Sequence, residues 1–104
     1  MSDNANIDEE EPEILYTGLT HSREPLSMMN LFYFVQNLCE GYQSSSSLEA
    51  NYLINEREMW FIPVINPDGY IYNEQIEPNG GGMHRKNRKA VSYTHLTLPT
   101  NREV

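Results

Sequence analysis

"EILYTGLTHSREPLSMMNLFYFVQNLCEG" occupies residues 13–41, and its reading decides the fold. Ile14, Leu15 and Tyr16 make a compact β-favouring run that Gly18 ends, the pattern of a short buried strand. Beyond Pro25, the residues Met28, Leu31, Phe32, Val35, Leu38 and Cys39 fall at helical spacing and form one apolar stripe. Proline is tolerated in a first turn, where its missing N–H goes unused. Ser22 is expected to cap this helix and Gly41 to stop it. Cys39 lies on the stripe and reads as a small core residue, not a nucleophile.

Working outward, "GYQSSSSLE" (41–49) reads as a flexible connection, because four consecutive serines offer nothing to a core. "SLEANYLINE" (47–56) predicts a short second helix through Leu48, Tyr52 and Leu53. "EMWFIPVI" (58–65) predicts a second strand, so nearly continuous in apolar residues that both faces should be covered. Pro63 weakens its end, since proline cannot donate to a ladder. "NPDG" (66–69) reads as a turn, with Pro67 presetting φ and Gly69 tolerating a positive one. Strand, long crossover and strand describe a βαβ unit with a parallel pair. Ligands of open α/β sheets bind beyond the carboxyl ends of the strands. "THSRE" leaves the first strand there and "NPDG" leaves the second, so the two motifs should share one edge.

The 104 residues suffice for one small domain. Fifteen acidic against seven basic residues give a net charge of −8, which argues against nucleic acid or an anionic membrane as the main partner. With the single cysteine no internal disulfide can form. No stretch has the length of a transmembrane helix, and "MSDNANIDEEEPE" (1–13) has neither a basic start nor an apolar run. Residues 1–13 are expected to be an acidic flexible leader, 14–89 one folded unit, and 90–104 a tail.

Two clusters carry chemistry. His21 and Glu24 stand three apart, so in a helical turn they would face the same way and could bind one metal ion. Equally, Ser22 could cap while Glu24 simply favours a helix N-terminus. Arg23 between them could orient an acidic substrate group or be an ordinary surface residue. "GGGMHRKNRK" (80–89) sets Arg85, Lys86, Arg88 and Lys89 in an acidic chain. It reads as a solvated loop, a nucleic-acid or localisation patch, or a segment whose glycines let the backbone approach something closely.

Taken in order, "GLTHSREP", "FIPVINPDGYIYN" and "MHRKNRK" resemble the zinc metallocarboxypeptidase family of the carboxypeptidase A type. The resemblance runs from Ile14 to Lys89 and implies that residues 14–89 are a partial peptidase catalytic domain. It implies part of an α/β/α sandwich with a mixed, largely parallel sheet. It also implies one zinc ion, held by His21 and Glu24 as two ligands of an incomplete set. Arg85 matches the arginine that stabilises the oxyanion, and both Arg23 and Arg85 match substrate-contacting positions. The family hydrolyses the C-terminal peptide bond of peptides and proteins with a zinc-activated water and a glutamate base. Members are often secreted or vacuolar; the resemblance implies neither nucleic acid nor membrane as partner.

His84 departs from the pattern, standing where an aromatic residue usually precedes the arginine. The third ligand histidine, the Asn-Arg carboxylate clamp, the capping tyrosine and the base glutamate have no counterpart in this chain. In "AVSYTHLTLPTNREV" (90–104), His95 follows Arg85 too closely for the third ligand. Asn101–Arg102 lacks the residues that flank the clamp. The stretch resembles a translated sequencing-adapter segment and is expected to be non-native or disordered. The chain alone is therefore expected to lack peptidase activity and to aggregate, with strand edges and apolar faces uncovered. A zinc amidohydrolase acting on acylated amino acids and a non-catalytic peptide-binding module remain the alternatives.

Overall fold

A computed structural model describes residues 1–89; the tail with His95 and Asn101–Arg102 lies outside the described residues. Elements run β1 (Glu13–Thr17), α1 (Leu26–Gln43), α2 (Leu48–Glu56), β2 (Glu58–Ile62) and α3 (Pro67–Ile76). The strands pair in parallel, Glu13 opposite Glu58 through Thr17 opposite Ile62. A parallel pair needs a long crossover, and α1 with α2 supplies it. The fold is thus mixed α/β, as the strand–helix–strand pattern implies.

Helices α1 and α2 pack on one face of the pair. Leu38, Ala50, Ile54 and Met59 form the buried core, with Tyr16, Phe34, Leu53 and Phe61 against it. The rings of Tyr16, Phe34 and Phe61 meet at centroid distances of 5.2–6.2 Å. Here the stripe differs from expectation. Phe34 packs inward while Phe32 is exposed. The covered positions 31, 34, 38 and 41 repeat at steps of three and four, and residue 32 falls outside that arc.

Three local expectations give way to packing. Gly41 does not stop α1, which runs to Gln43. A Cβ there would lie 2.9 Å from the Ser47 Cβ and 3.0 Å from the Ala50 Cβ, so the missing side chain lets α2 approach. The serines close helix ends: Ser44 Oγ donates to Glu40 O at 2.7 Å, and Ser47 Oγ accepts from Ala50 N at 3.1 Å. The other face of the strand pair is not covered among the described residues: Leu15, Trp60 and Ile62 are all exposed.

Residues 1–13 contain neither helix nor strand before Glu13, yet their start docks. Met59 N donates to Met1 O at 3.0 Å, the Met1 ammonium donates back to Met59 O, and Asp3 N donates to Ile54 O at 3.0 Å. Met1 thereby caps part of the outer edge of β2. Partial burial first, then Glu9 beside it and the charges of Asp3 and Glu56, hold the Glu11 carboxyl above its ordinary range. No helix of the described residues is long and apolar enough to cross a membrane.

"NPDG" opens α3 instead of making a free turn. Asn66 is the N-cap, its Oδ1 accepting from Gly69 N at 3.1 Å, with Pro67 in the first helical turn. Asn-Pro-Asp satisfies both descriptions, since proline suits a first helical position and an acid suits the first turn. A Cβ on Gly69 would lie 2.7 Å from the Ser22 Cβ and 2.8 Å from the Asn66 amide, so no side chain fits. Gly69→Ala should cost about 1–3 kcal/mol of stability. A thermal melt of the intact protein would check it; an unchanged midpoint would mean the contact yields freely.

Candidate metal centre

Both predicted loops leave the carboxyl edge of the strand pair and are sewn together there. Ile65 N donates to Gly18 O and Asn66 N to Leu19 O, each at 3.1 Å. Leu19 is fully buried with φ of 51°, a left-handed conformation that costs a branched side chain about 1–2 kcal/mol. Its amide donates to Ser27 Oγ at 2.9 Å. Burial of the side chain and the Ser27 and Asn66 bonds hold the backbone in that shape, which reverses the chain immediately before Thr20 and His21.

His21 and Glu24 lie in a turn ahead of α1, closed by Glu24 N donating to His21 O at 3.1 Å. The helix begins at Leu26 with Pro25 at its cap and no side-chain cap bond, and it has no acid in its first turn. Neither half of the capping explanation therefore holds. Ser22 is spent elsewhere, and Glu24 precedes the helix. Instead His21 Nδ1 stands 3.0 Å from Glu24 Oε2. At Zn–N of about 2.0–2.1 Å and Zn–O of about 2.0–2.2 Å, two tetrahedral ligands stand roughly 3.4 Å apart. Opening the pair by a few tenths of an ångström would admit the ion, so donor chemistry and spacing fit zinc. The count does not yet suffice: among the described residues no group of three His, Cys, Asp or Glu side chains converges. A catalytic zinc site needs a third protein donor.

The glycine-rich segment returns to this turn. Ser22 N donates to Arg85 O at 2.9 Å, and Ser22 Oγ donates to His84 O. Asn73 of α3 grips the same residue: its Nδ2 donates to His84 O at 2.8 Å and its Oδ1 accepts from His84 N at 2.9 Å. The structure thus brings the Arg85 backbone against the residue between His21 and Arg23, while the Arg85 side chain stays exposed. His84 fills an aromatic slot, its ring edge-on to Tyr72 at 4.9 Å, and its Nε2 is buried with no hydrogen-bond partner among the described residues. The basic cluster does not form one uniform face. Arg88 lies 3.7 Å over the Tyr72 ring, and Lys86 Nζ donates to Lys89 O at 3.1 Å. Arg23 is exposed and lines a cavity of about 480 Å³ with Tyr70, Glu74, Glu77 and Gly80–Gly82. Asn73 and the Ser22 clamp have no signal in the sequence, because their partners lie 11 and 62 residues away.

A family model described as zinc carboxypeptidase matches residues 1–102. The chain is 36% identical over 95% of its length to "Zinc carboxypeptidase" of Saccharothrix mutabilis subsp. capreolus. It is 33% identical over 76% of its length to "Inactive metallocarboxypeptidase ECM14" of Arthroderma otae, and 34% over 73% to the protein of that name from Uncinocarpus reesii. The chain spans 22% of the length of the first and 12% of each of the other two.

Proposed function

The chain belongs to the zinc carboxypeptidase family, and on that premise we propose that it is the segment of a longer peptidase that supplies two zinc ligands and the oxyanion arginine. The reaction is hydrolysis of the C-terminal peptide bond of peptides and proteins. What carries the proposal is the His21 Nδ1–Glu24 Oε2 pair at 3.0 Å, set at the carboxyl edge of parallel strands.

His21 and Glu24 would hold the ion, with a third donor and a base glutamate coming from beyond the described residues. A zinc ion held there would supply Lewis acidity, to polarise a carbonyl and to make water nucleophilic at neutral pH. Arg85 presents a charged fork to the carbonyl oxygen as negative charge develops on it. Arg23 borders the cavity beside the metal turn, where it would contact the substrate chain.

The test is paired. The full-length protein should bind one zinc per polypeptide and release C-terminal amino acids until a chelator stops it. The chain of residues 1–104 should do neither. Robust chelator-sensitive release by the short chain would sink the fragment proposal. A second reading has support in the names of the Arthroderma and Uncinocarpus proteins, which are called inactive. It is a non-catalytic module that binds peptide C-termini; a full-length protein that binds peptide without releasing a residue would favour it. Release from N-acyl amino acids in preference to peptides would move the assignment to an amidohydrolase.

A further inference from the structure

We propose that Asn73 and Ser22 are positioning residues for Arg85, joining helix α3, the metal turn and the arginine segment into one polar latch. The inference rests on the reading of Arg85 as the oxyanion donor. Its basis is a concentration of hydrogen bonds at one point. The His84–Arg85 backbone has no helix or strand to hold it. Three of its polar groups are nevertheless taken by two side chains and one amide: His84 N by Asn73 Oδ1, His84 O by Asn73 Nδ2 and Ser22 Oγ, and Arg85 O by Ser22 N. Ser22 Oγ reaches Arg85 O as well, at 3.2 Å, and Asn73 Nδ2 lies 3.5 Å from Ser22 Oγ.

Both side chains are buried, Ser22 at 1% and Asn73 at 8% exposure, at the floor of the cavity that Arg23 lines, and their polar atoms are spent on the His84–Arg85 backbone. Asn73 uses donor and acceptor on the same residue, which only a carboxamide can do at that length. The surroundings are shaped to it. A Cβ on Gly82 would lie 2.6 Å from Asn73 Oδ1 and 2.8 Å from its Cβ, so glycine is needed for the segment to pass Asn73. Ser22 is the residue between His21 and Arg23, so the latch fixes the arginine relative to the metal ligands and not merely to the fold. A guanidinium on a long flexible stem contributes to catalysis only if its root is fixed, and a displacement of about 1 Å can cost about 100-fold in rate.

Two variants of the full-length enzyme test this. Asn73→Asp keeps the acceptor for His84 N but sets a carboxylate against the His84 carbonyl. Gly82→Ala alters no polar group and only pushes Asn73. Each should lower kcat about 10- to 100-fold, with bound zinc unchanged. The deciding readout is a double-mutant cycle with Arg85→Ala. If the latch acts through Arg85, neither variant should lower kcat further in that background. Losses that add in full to the Arg85→Ala loss would overturn the latch, as would loss of zinc, or an unchanged kcat in both variants. If instead Arg85→Ala alone leaves kcat intact, the oxyanion role itself fails, and the latch with it.

Discussion

Glu24→Gln in the full-length protein should strip the active site of zinc. Glutamine keeps the length of the side chain but loses the charge, and its amide oxygen is a poor substitute for a carboxylate on zinc. Removing even an outer-shell partner of a metal ligand costs about 10–100-fold in affinity, so loss of a direct ligand should cost more. Peptidase activity should fall in proportion to the zinc lost. The fold should not suffer, because the Glu24 side chain is 54% exposed and pairs with His21, while the bonds that shape the turn are made by its backbone. Its carbonyl accepts from Ser27 Oγ at 2.8 Å and from Ser27 N at 3.3 Å, bonds that survive the substitution. Metal analysis after dialysis and a thermal melt read the two effects separately. Zinc content equal to that of the unaltered protein would remove Glu24 from the site.

Arg85→Ala should leave zinc in place and lower kcat about 100- to 1,000-fold, the cost of losing one preorganised oxyanion donor. KM should change far less, because the interaction strengthens only as charge develops in the transition state. Arg85→Lys should recover part of the loss, since an ammonium keeps the charge but not the two-pronged geometry. Steady-state kinetics on one peptide with the three proteins are sufficient. An equal rise in KM with kcat untouched would instead make Arg85 a ground-state binding residue.

How much of this was legible in the sequence depends on how local each signal is. The strand Glu13–Thr17, the two crossover helices and the strand Glu58–Ile62 follow from apolar periodicity, because each pattern repeats within its own segment. Helix α3 escaped because it carries no such stripe: Ile71 and Ile76 are exposed, and only Gly69 and Asn73 are buried. Asn-Pro-Asp-Gly then reads equally as a turn or a helix start. Ser22 differs from its expected role for another reason. A serine three residues before Pro25 looks like a cap until the chain brings His84 and Arg85 back to it across more than sixty residues. Phe32 and Phe34 could not be separated by spacing alone; the ring cluster with Tyr16 and Phe61 decides between them. His21, Glu24 and Arg85 are proposed from short motifs legible in the sequence. The proposed latch was not legible, because the Asn73 and Ser22 side chains meet His84 and Arg85 only once the chain folds back on itself.

The most direct test of the account is anomalous diffraction at the zinc edge from crystals of the full-length protein. The account predicts one zinc at the carboxyl edge of β1 and β2, with His21 Nδ1 and a Glu24 carboxylate oxygen each at about 2.0–2.2 Å. A zinc bound elsewhere, with His21 and Glu24 still paired only to each other, would contradict it.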